Sequence, residues 1–285
     1  MIEEFLTSFY LFANSYLAGW LIAVVLSLIG IGIVARDQIF LGAAVAQSST
    51  LGIALALWAE GFFGIAGVPE SHRQFLHATI GGAFAILAAL VTAHAGRSRR
   101  ETHEAVTGWA FLTASAATVL AVAHSPHGLE EVQTLIASTI IGATREDVAA
   151  FAAAAALTIL LVALKRRELV LLVTDPEMAG ALGVRVALLE TIFYVWLGLA
   201  VGLSIHVAGT TYAFGCLVFP ALAAKNLCLE TRSLFVVAPA LALASGILAF
   251  ILANHWDYPP GQVAVAILSV LVAAGWAVRK LREQG

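Results

Sequence analysis

The stretch VTDPEMAGALGV, residues 173–184, places polar residues between two long apolar runs. The carboxylate of Asp175 can accept a backbone N–H at the start of a helix, and Pro176 suits the first helical position. Glu177 is favoured near the positive end of the helix dipole, and Gly183 can end a helix in the left-handed conformation. The pattern therefore predicts a short helix that is capped at both ends.

Small residues fill the middle of this predicted helix. Ala179, Gly180 and Ala181 would let another protein come close, and Leu182 follows them. A helix of this length does not persist alone, so its caps indicate that its shape matters. Two interpretations stay open: a structured connector, and a docking element for a partner protein.

A second polar group interrupts the apolar run that follows Arg36. Gln47, Ser48 and Thr50 lie within four consecutive polar positions, and Gln47 and Thr50 roughly share one helix face. Polar side chains within a membrane span usually face the bundle interior or a water-filled path. These residues are therefore either pathway residues or hydrogen-bonding residues that pack the bundle.

Glycines and a proline mark the stretch GTTYAFGCLVFP, residues 209–220. Gly209 begins it, Gly215 lies within it, and Pro220 ends it. Breaks in a membrane helix leave carbonyls free, which is tolerated only where protein or a water-filled cavity satisfies them. We expect this stretch either to line a pathway, with Tyr212 and Phe214 as gate aromatics, or to pack closely through its small residues.

Four histidines are weak candidates for metal ligands. His124 and His127 lie three apart in the loop sequence HSPHG, and His77 and His206 lie near span ends on the same predicted side. Scattered loop histidines are more often simply solvated, and His206 has the alternative of bonding a neighbouring carbonyl. The sequence therefore predicts no definite metal site.

The elements that must position these residues are membrane spans. Hydrophobic residues make up 61% of the 285, charged residues 12%, and the mean hydropathy is +0.94. Soluble domains average about 25% charged residues, so the composition predicts an all-α integral membrane protein. A span needs about 20 mostly apolar residues. Such runs predict a polytopic bundle of about nine spans, at 17–35, 40–60, 76–96, 105–124, 147–164, 188–207, 209–224, 233–253 and 261–279.

The whole chain, 1–285, is predicted to form one transmembrane domain. An amphipathic interfacial segment, 1–16, precedes the first span, and the short polar helix segment, 173–184, joins the fifth and sixth spans. Lys and Arg are retained on the cytoplasmic side of membranes. All basic residues except Arg73 and Arg145 fall on one side of this arrangement. We therefore expect the N-terminus outside, and the C-terminus and segment 173–184 in the cytoplasm.

DPEMAGALGV resembles the cytoplasmic coupling segment of the permease subunits of zinc-, manganese- and iron-type ABC importers. The stretches VARDQIFLGAAVAQSSTLGIAL, EEVQTLIASTIIGATREDV, HVAGTTYAFGCLVFPALAA and YPPGQVAVAI follow in the order of that family. The resemblance implies a homodimeric permease in a bacterial inner membrane, with ATPase subunits beneath it and an extracytoplasmic binding protein above it. ATP and Mg would bind the ATPase, since this chain has no phosphate-loop motif and no cofactor or enzymatic activity is expected of it.

The same resemblance implies roles for the capped helix. Residues from Pro176 to Leu182 would sit in a groove of the ATPase and transmit its closure to the spans. The implied coupling residues are Asp175, Pro176, Glu177, Ala179, Gly180, Leu182 and Gly183.

One departure from the family concerns the cargo. The family's second span usually reads Gly-Asp-Ala-x-Ser-His, with an acid and an imidazole that suit a divalent cation. Here the acid is replaced by Ala43 and the histidine by Gln47. Alanine cannot ligate, and an amide oxygen is a poor ligand for zinc or iron. The metal would therefore pass on other residues or inside a chelate, or the cargo is not a metal.

Two alternatives to a metal importer stay open. One is an importer permease of the siderophore or corrinoid class. The other is a channel or secondary carrier that works without an ATPase. The capped helix argues against this second alternative, because a channel has no need of it.

Overall fold

The computed structural model describes residues 2–63, 70–95, 102–123 and 140–284, and within these ranges the chain is helical, with no strand. The elements, in chain order, are α1 (Ile2–Ala35), α2 (Ile39–Phe63), α3 (Glu70–Ala95), α4 (His103–Ala123), a 3-10 turn (Ile140–Gly142), α5 (Arg145–Thr174), α6 (Pro176–Ala181), α7 (Val186–Leu227), α8 (Thr231–Trp256) and α9 (Pro260–Gln284). The predicted all-α membrane fold is confirmed.

Eight helices of the described residues are long and apolar enough to cross a membrane, and the prediction of about nine spans divides one of them in two. That helix is α7, whose 42 residues consist of two helical segments joined across a kink and contain both predicted spans 188–207 and 209–224. Its backbone departs from helical angles at Gly209, with φ 78° and ψ 167°. The break was predicted at the right place, but no polar loop separates the two apolar runs, so helix resumes directly after one glycine.

The predicted interfacial segment 1–16 is described from Ile2, and a kink at Phe12 separates most of it from the rest of the first helix. Residues from Ile2 onward belong to α1, which continues to Ala35 with non-helical angles at Phe12 (φ −110°, ψ 15°). Phe5 is buried, whereas Tyr10 is 92% exposed. The segment has one apolar side against the protein, and its position along a membrane surface stays a prediction.

The chain divides into two compact units. Unit 1 comprises Met1–Asp37, Thr139–Val186 and Thr211–Gly285, and unit 2 comprises Gln38–Ser138 and Ala187–Thr210. Two of the four boundaries along the chain lie at unusual backbone: beside Asp37, whose φ is 56°, and just after Gly209. The single permease domain 1–285 stays a prediction about how the chain works as a whole.

Unit 1 is built around α1, which packs against α8 and α5, while α9 packs against α8. The rings of Tyr16 and Phe250 are 4.9 Å apart between their centroids, which joins α1 to α8. Gly30 approaches the carbonyl of Leu217 so closely that an added Cβ would overlap that carbonyl. Small residues at such crossings let membrane helices gain packing contacts that a hydrophobic effect cannot supply in lipid.

Unit 2 is built around α2, which packs against α3 and α4. A Cβ added at Gly202 would lie 2.7 Å from the Cα of Gly82, so the first part of α7 and α3 meet backbone to backbone. The buried hydroxyl of Thr92 bonds within its own helix: it donates to the carbonyl of Ala88 at 2.8 Å. This bond satisfies the Thr92 hydroxyl without a partner helix.

Candidate functional site

Helix α6 begins as the sequence predicts. Oδ1 of Asp175 accepts the backbone N–H of Met178 at 2.9 Å, Pro176 occupies the first turn, and Glu177 is the acidic residue there. The carboxylate thus satisfies one of the N–H groups that a helix start leaves without a carbonyl. The local structure predicted for this end is confirmed.

The other end of α6 is closed by two backbone bonds. Gly183, with φ 82°, donates its N–H to the carbonyl of Gly180 at 3.0 Å. Val184 donates to the carbonyl of Ala179 at 3.1 Å. This pair of bonds around a left-handed glycine is the Schellman motif. The predicted glycine stop is confirmed, and six helical residues are fixed at both ends.

The predicted small-residue face divides into two kinds of residue. Ala179 is 0% exposed, so it packs inside the chain and cannot contact a partner. Gly180 is open, since a Cβ added there would meet nothing nearer than Val186 at 4.0 Å. Met178 and Leu182 are 53% and 65% exposed. Helix α6 therefore exposes an apolar pair, Met178 and Leu182, on one face and the uncovered Gly180 on the other, about 200° around the helix from Met178. Ala179 is a packing residue.

Helix α6 is held tightly to the end of α5. The N–H of Asp175 donates to the carbonyl of Leu171 at 2.8 Å, so the residue that starts α6 also ends α5. Nη2 of Arg36 donates to the carbonyl of Leu172 at 3.1 Å. A cation is favoured at the negative end of a helix dipole. These contacts join the polar segment to the residue that follows α1.

The end of α1 is held in turn by α7. Nζ of Lys225 donates to the carbonyl of Val34 at 3.1 Å and to Oδ1 of Asp37 at 2.7 Å. The Asp37 side chain is 83% exposed. An ion pair this open to solvent adds at most about 1 kcal/mol to the free energy of unfolding. It therefore contributes more to positioning the end of α1 than to stability.

Within unit 2, the next residue of the chain has its own partner. The hydroxyl of Tyr194 donates to Oε1 of Gln38 at 3.1 Å, between the first part of α7 and the start of α2. Tyr194 is only 3% exposed, so the bond lies in a shielded setting.

A cavity of about 340 Å³ opens among the basic ends of the unit 1 helices. It is lined by Ala35, Val173, Thr174, Lys225, Cys228, Leu229, Glu230, Thr231 and Leu234. Burial raises the pKa of the Cys228 thiol above its ordinary value, and the charge of Arg282 acts in the opposite direction. Leu229, at 92% exposed, is an apolar side chain on this otherwise charged end.

The polar group of α2 is mostly buried. Ser48 and Thr50 are 7% and 2% exposed, and Thr50 donates to the carbonyl of Ala46 at 3.1 Å in its own helix. Gln47 and Ala43, one turn apart, are both half-buried. Only Gln47 therefore offers an accessible polar group among the predicted pathway residues of α2, and the face it shares with Ala43 carries no ligand for a bare cation.

The predicted pathway residues of α7 flank its break. His206 and Phe214 are half-buried, on either side of Gly209. Tyr212 is buried, and its hydroxyl donates to the carbonyl of Gly19 at 2.9 Å. A Cβ added at Gly261 would lie 3.3 Å from that of Tyr212, so the ring is packed on that side too. A gate role for Tyr212 stays a prediction, and it requires that the ring leave this position.

Of the four histidine candidates, the structure describes His77 and His206. Nε2 of His77 lies 2.9 Å from Oε1 of Glu60, with the two side chains 13% and 14% exposed, as a pair between α2 and α3. His124 and His127 lie outside the described residues. Among the residues that are described, no group of three or more His, Cys, Asp or Glu could hold a metal ion.

Comparison with known proteins gives the family. The ABC 3 transport family matches residues 8–279, nearly the whole chain. This chain belongs to the ABC 3 transport family. It is 21% identical over 269 residues, covering 94% of both chains, to a Haemophilus influenzae protein named "Probable iron transport system membrane protein". The resemblance drawn from the coupling segment is thereby confirmed at the level of the family.

Two solved structures share the fold of this ABC 3 family chain. The PsaBC complex of Streptococcus pneumoniae, solved with a Fab, contains a chain with a TM-score of 0.80 at 17% identity, and each chain is covered completely. An ABC transporter described as of the metal-chelate type, in an inward-facing conformation, has a TM-score of 0.73 at 17% identity over 93% of this chain and 85% of that one. Both likenesses concern the fold alone.

The contacts of Arg36, Asp37 and Gln38 are the part of this ABC 3 family structure that sequence reasoning missed. In the sequence these residues are a charged pair followed by an amide between two apolar runs, a pattern that is typical of an ordinary loop. Their partners Leu172, Lys225 and Tyr194 are more than a hundred residues away, so no local pattern could reveal them.

Proposed function

We propose that this chain is the permease subunit of an ATP-binding-cassette importer for a divalent metal ion (zinc, manganese or iron) or its chelate. The cargo would pass from an extracytoplasmic binding protein into the cytoplasm, driven by ATP hydrolysis on partner subunits. Membership of the ABC 3 transport family supports the transport role. ATP and Mg would be held by the ATPase, with no cofactor on this chain.

The observation that carries the ATPase partnership is the construction of α6. Six residues are capped at both ends, fastened to α5, and leave Met178, Gly180 and Leu182 open. An exposed apolar pair on one face and an uncovered glycine on the other would fit a groove that encloses this short helix, because the absence of a side chain at Gly180 admits a close approach. An isolated channel has no use for such an element.

A chelate is favoured over a bare ion as cargo. Ala43 and Gln47 occupy the positions where the family usually carries an acid and a histidine, and neither supplies a good ligand. A metal already surrounded by a chelator needs no ligand exchange with the pathway. The name of the Haemophilus influenzae relative supports iron as the first element to test. A siderophore- or corrinoid-class permease remains the second candidate for the same reason.

The proposed setting is a bacterial inner membrane, with two copies of the chain, the N-terminus outside and the C-terminus in the cytoplasm. The basic residues Arg36, Lys225 and Arg282 all bond carbonyls near helix ends within unit 1, so they gather at one end of that unit. Retention of basic residues in the cytoplasm would place α6 on the ATPase side.

The ATPase partnership is tested by binding. Gly180→Trp fills the open gap on α6 without a clash inside the chain, so the permease should fold and lose affinity for its ATPase at least about tenfold, or about 1.4 kcal/mol. Gly142→Trp is the matched control, because a Cβ there also meets nothing within 4 Å. Equal ATPase affinity in both variants, measured in nanodiscs, would remove the proposed role of α6.

The cargo is tested by uptake into proteoliposomes that contain permease, ATPase and binding protein. Radioactive iron, zinc and manganese are offered separately, each free and each with a chelator. ATP-dependent uptake only of the chelated form is expected. Uptake of a free ion would show that other residues replace the missing acid and histidine, and no uptake of any metal would favour the corrinoid class.

A further inference from the structure

Three consecutive residues join α1 to α2, and each holds a different part of the molecule. Arg36 bonds the carbonyl of Leu172 at the end of α5, and Asp37 pairs with Lys225 in the second part of α7. Gln38 accepts the hydroxyl of Tyr194 in the first part of α7. The first two contacts lie within unit 1 and the third lies within unit 2.

We propose that this junction, Arg36 to Gln38, transmits the displacement of α6 from unit 1 to unit 2. In that role the three side chains are positioning residues for the transport cycle. The inference rests on the proposed function, because it takes the ATPase as the source of the displacement.

The first step runs from α6 to the junction. Asp175 caps both α5 and α6, so a pull on α6 also moves the last turn of α5. The guanidinium of Arg36 is bonded to that turn through the Leu172 carbonyl, and Leu172 itself is 3% exposed. A charged donor makes a stronger bond than a neutral one, so this link resists stretching.

The second step concerns the stiffness of the junction. Helix α1 ends at Ala35 and α2 begins at Ile39, so three residues leave little chain to absorb a shift. Asp37 has φ 56°, a left-handed conformation that is unusual for a residue with a side chain. Lys225 holds Oδ1 of Asp37 and the carbonyl of Val34 at once, which fixes that conformation against the end of α1.

The third step passes into unit 2 along the covalent chain. Gln38 is the first residue of that unit, and its amide is held by the buried Tyr194. Lys225 and Tyr194 belong to the two parts of α7, which are separated by the non-helical Gly209. The junction therefore has one contact on each side of the break, and a shift of the junction would bend α7 at Gly209.

The test compares nucleotide responses of the two units in one sample. Permease and ATPase are assembled in nanodiscs, and amide hydrogen exchange is followed with and without a nonhydrolysable ATP analogue and Mg²⁺. The variants are Gln38→Leu and Tyr194→Phe, which keep the side-chain size and remove the unit 2 bond. The matched control is Arg166→Met, which removes an arginine bond to a carbonyl, that of Arg232 at 3.1 Å, away from the junction.

In the parental complex and in Arg166→Met, the ATP analogue should change the rate of amide hydrogen exchange in peptides from 140–186, which belong to unit 1. It should also change that rate in peptides from 187–210, which belong to unit 2. In Gln38→Leu and Tyr194→Phe, the change in 140–186 should persist and the change in 187–210 should be lost. A change in 187–210 that survives in both variants would overturn the proposal, as would a parental complex that responds only in unit 1. A parental complex with no response anywhere would instead count against the ATPase partnership.

Discussion

Helix α6 and the middle of α7 are both predicted to move during transport, yet they are held in opposite ways. The contacts that close α6 come from residues within a few positions of one another, such as Asp175 with Met178 and Val184 with Ala179. The break of α7 is held from afar, by Tyr212 on Gly19 and by the approach of Gly30 to Leu217. Local closure lets α6 shift as a rigid piece, whereas a change just after Gly209 would disturb the contacts of Tyr212 and Leu217 with α1.

The largest effect should follow from Gly30→Ala. The added methyl would overlap the Leu217 carbonyl, and a backbone atom cannot turn aside, so we expect a loss of more than about 3 kcal/mol in the free energy of unfolding. Thermal unfolding in detergent, read by thiol-dye labelling of the buried Cys216 in a Cys228→Ser background, measures it. Gly108→Ala, where a Cβ meets nothing within 4 Å, is the control and should not lower stability.

Next comes a matched pair of positive-φ glycines, Gly209→Ala and Gly183→Ala. The angles of Gly209, φ 78° and ψ 167°, are nearly closed to other residues, so alanine there should cost about 1–3 kcal/mol of global stability. Gly183→Ala should cost about 1 kcal/mol and loosen only α6. Labelling of Cys216 should therefore begin at a lower temperature only in Gly209→Ala. Equal behaviour of the two variants would break the distinction between the regions.

Tyr212→Phe should also lower global stability, but by less than Gly209→Ala. It removes the buried bond from the Tyr212 hydroxyl to the carbonyl of Gly19, at a cost of about 1 kcal/mol. Tyr10→Phe is the control, because Tyr10 is 92% exposed and the change should be neutral. If Tyr212→Phe were as stable as the parent and more active in transport, the ring would be a gate rather than a structural residue.

Asp175→Ala should act on α6 alone. Loss of the bond to Met178 costs about 1 kcal/mol of local helix stability. Amide exchange in 175–184 should accelerate and ATPase affinity should fall, while the onset of Cys216 labelling stays unchanged. Asp175→Asn keeps an oxygen acceptor and should restore most of both properties. A lowered global melting temperature in Asp175→Ala would show that α6 is part of the core.

The smallest expected effect concerns the thiol reactivity of Cys228 and Cys216. The pKa of Cys228 is raised by burial, so its thiolate fraction near neutral pH is lower than that of a free thiol, and its maleimide reaction should keep accelerating above pH 9. Arg282→Met removes the charge that lowers this pKa and should slow the reaction further at each pH. Cys216, at 1% exposed, should stay unreactive in the folded protein throughout.

The same contrast explains what could be predicted from the sequence. The local structure of segment 173–184 was predicted correctly because Asp175, Pro176 and Gly183 act on neighbours along the chain. The position of the break at Gly209, which divides α7 into two helical segments, was also visible in the sequence. The burial of Ala179 and the partners of Arg36, Asp37 and Gln38 depend on residues far away in sequence. Composition and spacing carry no information about those pairs.

The measurement that tests the central claim most directly is the side of the membrane on which α6 lies. Met178→Cys, in a background with Cys216→Ser and Cys228→Ser, places one reactive thiol on the exposed surface of α6. A membrane-impermeant thiol reagent is applied to intact cells and to inside-out vesicles. We predict labelling only in inside-out vesicles, with protection when the ATPase is added. Labelling from outside intact cells would place α6 away from ATP and contradict the account.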